Sequence, residues 1–354
     1  MTGHAAPKVR SPSVSARPNS RKLTALGRVG AGLGVSAVAF YLSGRGADWT
    51  AIPGYIGRAD WLLIAAGAAV LLVSLGLFAA RWRALIPEPA VLPTRRAFSC
   101  LMVGYLVNTV LPLRLGDAAR LGLASRRCGL GLSLLAGALA VERLMDLAIL
   151  AAAGVGLGLV MTTPRLLGSG LVFVLGLALA GLAALWVLAL TGDWLDHAKV
   201  GAGRGRRAVA AAWAGRQLAG FQQGLWALRG PARVGQAGGL SALAWVGIAL
   251  ATGLWTRAFG LPVPWYGVVL LVVAVNLGAI LPSAPAGVGI YHLAVILVLT
   301  TWVADRELAL AYAVSSHGVN SALNIVAGLG CLLAEGAAGP ASPSGAAQCS
   351  RNPG

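Results

Sequence analysis

The chain has 354 residues, 57 % of them hydrophobic and only 11 % charged, with a mean hydropathy of +0.77. Repeated apolar runs of roughly 20 residues in such a composition exclude a soluble protein built on one hydrophobic core, and define an all-α, polytopic helical membrane protein. The formal net charge of +17 is no nucleic-acid signature, because the basic residues fall between the apolar runs and mostly on one side of them.

Residues 1–22 form a basic, Ser/Pro-bearing tail for which disorder is expected, and the run at 29–43 follows it. That run resembles a signal peptide, yet the region before it is long and Arg45 closes it, so it reads as an uncleaved signal anchor. Further spans are predicted near 60–80, 132–160, 166–191 and 238–259, then an apolar pair at 264–281 and 286–303, and a last span at 307–334. With the first span at 23–43 this gives about 8 apolar spans in a transmembrane domain over 23–334, followed by a disordered tail at 335–354. Residues 191–237 carry many arginines with Ala210, Trp213, Phe221, Leu225 and Leu228 roughly on one face, the pattern of an interfacial helix.

Twenty-two of the 28 Lys and Arg residues fall on one side of this arrangement: six in the N-terminal tail, eight between Arg81 and Arg127, seven between Lys199 and Arg233, and Arg351. Arg45, Arg58, Arg165, Arg257 and Arg306 fall on the other, and Arg143 lies within a span. The positive-inside bias makes the basic side and both termini cytoplasmic, facing anionic headgroups. Segment 97–112 is apolar but short and bracketed by basic loops, so a full crossing would place one of those loops outside. A re-entrant hairpin entering from the cytoplasmic side removes the conflict, provided protein or water surrounds it at depth.

Two passages share an Asn, then Leu-Pro, then Gly: Asn108, Leu111, Pro112 and Gly116 in the first, Asn276, Leu281, Pro282, Gly287 and Gly289 in the second. The charge distribution gives them opposite orientations. Broken elements of opposed orientation point to inverted repeats around a midplane site, although so short a match could also recur by chance in this composition.

In the first broken element Asp117 is placed to cap a helix over 118–127, with Gly129 past its end. Arg114 and Arg120 flank that cap, and the planar donor fork of Arg matches a phosphate; ordinary positive-inside anchoring is the competing account. Within span 132–160, Glu142, Arg143 and Asp146 are ionisable groups in an apolar helix, a functional candidate by position. Arg143 can pair with Asp146 three residues on, which leaves one carboxylate needing a partner such as Arg114 or Arg120. Structural pinning of neighbouring helices is an equal alternative. In the second element, Pro282, Pro285, Gly287 and Gly289 break the chain and start a helix near Gly289, whose free amides form an anion site with His292 in the first turn, unless the element is a simple Pro kink. His317, Asn320 and Asn324 form one polar stripe on the last span, suited to interhelical hydrogen bonds or to substrate. Cys100, Cys128, Cys331 and Cys349 show no paired spacing, so neither a zinc site nor a disulfide frame is expected, and no cofactor is implied.

The series Asn108, Leu111-Pro112, Arg114, Gly116-Asp117, Arg120, then Glu142-Arg143 and Asp146, then Pro282, Pro285, Gly287, Gly289 and finally His317 resembles the lysylphosphatidylglycerol synthase transmembrane-region family. That resemblance covers about 100–320 and implies a flippase-like fold with paired re-entrant helices in a bacterial plasma membrane, moving or presenting an aminoacylated or glycosylated lipid. Asp117 stands where the family usually has Glu, and His292 where many members have Glu. No aminoacyl-transfer domain lies within the sequence, so the synthase activity is not expected of it alone. Three functions follow, with membrane lipids and a lipid-modifying enzyme or a homo-oligomer as partners: a flippase binding anionic headgroups, an accessory or scaffold subunit of a lipid-modifying or glycosyltransferase system, and a membrane transferase. The last lacks the usual metal and nucleotide motifs.

Overall fold

The computed structural model describes residues 20–87, 91–111, 115–161, 165–191, 206–280 and 284–337, and among them every regular element is helical. The helices are α1 (Ser20–Gly44), α2 (Ile52–Arg58), α3 (Trp61–Leu85), α4 (Thr94–Val110), α5 (Gly116–Cys128), α6 (Leu132–Val160), α7 (Arg165–Leu190), α8 (Arg206–Gln223), α9 (Pro231–Ala258), α10 (Trp265–Gly278), α11 (Ile290–Leu299) and α12 (Arg306–Ala337). Short 3₁₀ turns precede α9 and α11, at Trp226–Arg229 and Pro285–Gly287. Both expected terminal tails lie outside the described residues, apart from the ends of α1 and α12.

Length separates these helices into two kinds. Five described segments, within α3, α6, α7, α9 and α12, are long and apolar enough to cross a membrane. At 1.5 Å per residue, α4 and α5 reach only about 26 and 20 Å and α10 and α11 about 21 and 15 Å, short of a hydrocarbon core of about 30 Å. Each short pair instead folds back on itself: α4 packs along α5, and α10 along α11. The re-entrant element expected at 97–112 is therefore the first limb of a two-helix hairpin.

The core of the bundle is the pair α3 and α9, which run antiparallel. The Asp60 amide donates to the Ala258 carbonyl, Trp255 Nε1 donates to the Ile64 carbonyl, and Arg81 at the far end reaches Ser241. Asp60 also caps α3, accepting from the Leu62 and Leu63 amides. Around this pair the order long helix, hairpin, long helix occurs twice, as α3, α4–α5, α6 and as α9, α10–α11, α12. The packing is exchanged between the copies: α4 lies on α12, and α10 lies on α6. Such reciprocity is what two related halves interleaved about one axis produce. Outside this frame, α7 and α8 pack on α6, α1 packs on α11, and α2 packs on α12.

One end of the bundle is tied by polar contacts between distant segments. The Tyr55 hydroxyl donates to Asp305, the Asp48 amide to Glu307, and Arg306 to the carbonyls of Leu42 and Ser43. At the other end Gln222 and Arg229 donate to the carbonyls of Leu188 and Ala189 at the close of α7.

Several sequence expectations need correction. Within segment 191–237 the described residues form α8, a 3₁₀ turn and the start of α9 rather than one helix, and Gly220 in α8 and Gly224 just after it approach Ser133 and Leu134 of α6 closely. Leu225 and Leu228 are buried in the core, whereas Trp213 is exposed. The span predicted at 238–259 begins at Pro231, a residue preorganised for a helix start. Asp117 does not cap α5: the helix already begins at Gly116, and the Gly116 amide donates to Asn108 Oδ1 at 2.7 Å. Gly129 ends α5 in the left-handed conformation, as its position suggested.

Candidate functional site

The site assembles where the ends of the two hairpins meet the middle of α6. Near the end of α4, Asn108 stabilises the turn into α5 through the Gly116 amide, and Gly104 and Gly116 let the two limbs approach. That turn sets Asp117 and Arg120, three residues apart on α5, against Glu142 and Arg143 of α6.

The resulting cluster holds three cations and three anions. Arg120 Nη2 meets Glu142 Oε1 at 2.7 Å, and Arg81 Nη2 meets the same oxygen at 3.3 Å. Arg81 also grips Asp146 with both terminal nitrogens, and Asp146 accepts from Trp245 Nε1 at 3.0 Å. Arg81, Arg120, Glu142 and Asp146 are at most 9 % exposed. The Arg81 guanidinium lies over Phe78 and that of Arg120 over Trp82, so apolar rings cover the faces of both cations. Arg143 differs: its side chain is 50 % exposed and pairs with the 37 % exposed Asp117 at 2.6 Å.

This geometry changes the reading of the charge. Arg143 is not the neutraliser of Glu142 and Asp146, being 4.0 and 3.8 Å from them, while Arg81 and Arg120 make the short contacts. The charge distribution along the sequence places both Arg81 and Arg120 on the cytoplasmic basic side. Arg81 lies inside α3, which runs beyond the predicted limit at residue 80. The excess of acid over base within α6 was the available signal for such a partner. Nothing in the sequence distinguished Arg81 from its neighbour Arg83.

A cavity of about 490 Å³ lies against the cluster, lined from α6 by Arg143 and Asp146, from the first hairpin by Asn108 and Asp117, from the second by Asn276 and Gly287, and from α12 by Asn320 and Asn324. A second space of about 350 Å³ shares Tyr105, Arg143, Asp146, Trp245 and Tyr291 with it and extends to Arg81 and Glu142. The two hairpins thus contribute to one chamber. Arg120 is buried behind its wall, and Arg114 lies outside the described residues, as does Pro282.

Other predicted residues are placed elsewhere. Pro285 begins the 3₁₀ turn and Gly289 (φ 88°) caps α11. Of the amides around that turn, the Gly289 amide donates to His292 Nδ1, and the Ala284 amide, ahead of the turn, to Ser36 Oγ of α1 at 2.7 Å. His292 and His317 are buried against each other, with Phe40 and Tyr291 around them, and neither lines the chamber. Asn320 and Asn324 of the same stripe do.

The fold and site define a helical integral membrane protein with two re-entrant hairpins around an internal polar chamber. The chain belongs to the lysylphosphatidylglycerol synthase transmembrane-region family, which it matches over residues 29–328. It is similar to the glycosyltransferase AglD of Haloferax volcanii, 28 % identical over 340 residues, an alignment covering 86 % of this chain and 54 % of that protein. The chain thus spans about half the length of that curated relative. No solved structure matches it.

Proposed function

We propose that the protein is flippase-like, translocating or presenting an anionic lipid or lipid-linked headgroup across a plasma membrane. The observation that carries this reading is the half-exposed Arg143–Asp117 pair on a chamber lined by both hairpins. Re-entrant elements reach a midplane site from opposite sides, and alternating exposure of such a site moves a polar group while its tails stay in lipid. Arg143 presents a planar fork suited to a phosphate, and Arg114 would gather the headgroup at entry. Both termini are cytoplasmic in this proposal, because the basic residues stay strongly biased to one side even with Arg81 and Arg120 removed from the count.

The test is reconstitution of the purified chain in liposomes with labelled anionic phospholipids and lipid-linked sugars, following loss of leaflet asymmetry. Movement in wild type that falls at least tenfold in Arg143→Ala supports the reading. No movement of any of these lipids sinks it.

A second reading rests on the relative named a glycosyltransferase, of which this chain aligns with about half. In that reading the protein serves a transferase as an accessory subunit. Co-purification with a lipid-modifying enzyme, without lipid movement, would favour it.

A further inference from the structure

We infer that the chamber holds the neutral, hydroxyl-rich part of a glycosylated lipid headgroup on the carboxamides of Asn276, Asn320 and Asn324, an inference that rests on the chamber being a headgroup site. The ion cluster beside it is balanced, three cations against three anions, and the Arg143–Asp117 pair is its most exposed part; Asp146 reaches the same wall but is held by Arg81 and Trp245. One anionic group can therefore be met by charge, and the remaining binding capacity of the wall is neutral.

That neutral capacity is concentrated on two helices. Asn320, Ser321 and Asn324 reach the chamber from α12, and Asn276 from α10. Asn320 and Asn324 make no hydrogen bond to any described residue, and Asn276 uses only Nδ2, on the Val272 carbonyl. A carboxamide offers an acceptor oxygen and two donors. Phosphate oxygens would use only the donors and an ammonium group only the acceptor, whereas a hydroxyl both donates and accepts. A surface of three amides and a serine thus matches a set of hydroxyls better than it matches either ion.

The rest of the wall fits a ring. Tyr105, Trp245 and Tyr291 border the space, and aromatic surfaces suit the C–H faces of a sugar, with the tips of Trp245 and Tyr291 held by Asp146 and Ser316. A volume of about 490 Å³ falls in the range of small-molecule sites, about 300–1,000 Å³, ample for a hexose beside a phosphate. Arg143 on α6 takes the phosphate and the amides on α10 and α12 take the sugar, so the two parts of the headgroup are read by separate helices.

The experiment titrates the detergent-solubilised full chain with a polyprenyl-phosphate hexose, with phosphatidylglycerol and with free hexose, reading the rise in Tm that binding produces. Asn320→Leu/Asn324→Leu removes two amides that support no hydrogen bond of the fold, and Asn320→Gln/Asn324→Gln keeps the group. The expected result is that the glycolipid binds more tightly than phosphatidylglycerol, that the Leu pair weakens the glycolipid at least tenfold and phosphatidylglycerol less than twofold, and that the Gln pair recovers part of the loss. Equal losses for both lipids, no loss for either, or free hexose binding as tightly as the glycolipid would overturn the inference. Glycolipid binding in wild type without movement in liposomes leaves the inference standing and refutes the flippase reading instead.

Discussion

Arg120 of α5 and Glu142 of α6 meet at 2.7 Å although neither is more than 3 % exposed. The contact fixes the return limb of the first hairpin to α6 in a buried setting. Two charges taken from water are costly, and removing one leaves the other only a 3.3 Å contact, Glu142 with Arg81 or Arg120 with Asp117, a loss of about 3–5 kcal/mol. Glu142→Ala, or Arg120→Ala, is expected to lower stability in detergent by that amount, measured as Tm or denaturant midpoint. In a double-mutant cycle, Arg120→Met with Glu142→Leu is expected to recover most of the single-mutant loss. Additive losses would mean the pair does not act as a unit.

Arg143 is expected to behave oppositely. Its pair with Asp117 is half-exposed, and such pairs contribute about 0–1 kcal/mol to stability. Arg143→Ala should leave Tm nearly unchanged while removing lipid movement. Asp117 occupies the Arg143 donors that an anionic headgroup would need, so Asp117→Asn should tighten binding of phosphatidylglycerol severalfold in a Tm titration. Weaker binding in that variant would show that Asp117 serves the ligand rather than competing with it.

The all-α membrane class and the two broken elements were legible because hydropathy, Pro and Gly are local signals. So was Gly129, whose place after a basic turn announces a helix end. Asn320 and Asn324 were legible as polar residues on an apolar helix, but His317 shares their stripe and is turned into the packing against Tyr291 and His292. A stripe gives a face, and the neighbouring helix decides which of its residues meets a cavity. Arg81 was hidden for a related reason: a basic residue near a helix end satisfies the positive-inside pattern whether it faces headgroups or the interior. Its true partner, Asp146, lies 65 residues away and is chosen by tertiary packing alone.

The contact between α2 and the start of α12 gives a pH dependence. The Tyr55 hydroxyl donates to Asp305 and holds that carboxyl below its ordinary range, while Asp305 in turn raises the Tyr55 hydroxyl above its own. A depressed carboxyl contributes stability above its unfolded value of about 3.9 and loses it as pH falls through the folded value. A raised hydroxyl contributes below about 10 and loses it as pH rises through the folded value. The contact is therefore expected to be intact from about pH 4 to 10 and to weaken on both sides. Tyr55→Phe should flatten both limbs of the Tm profile relative to wild type, and parallel profiles would place the dependence elsewhere.

The second hairpin leans on α1 at Ala284 and Gly289, whereas the Gly116 amide at the start of α5 is held from within the first hairpin. Asn108 stabilises the first turn from within its own hairpin, but Asn276 bonds only to Val272, and the Ala284 amide relies on Ser36 of α1. Gly289 lies directly against the Ser36 carbonyl with φ at 88°, so a side chain there would meet both a steric and a conformational barrier. Ser36→Ala leaves one backbone donor without its partner and should cost about 1 kcal/mol. Gly289→Ala should cost about 1–3 kcal/mol and separate α1 from the hairpin. Hydrogen exchange is the discriminating measurement: both variants should expose the amides of residues 284–292 while leaving those of α3 and α9 protected. Uniform loss of protection across the bundle would mean that α1 supports the whole fold rather than this one turn.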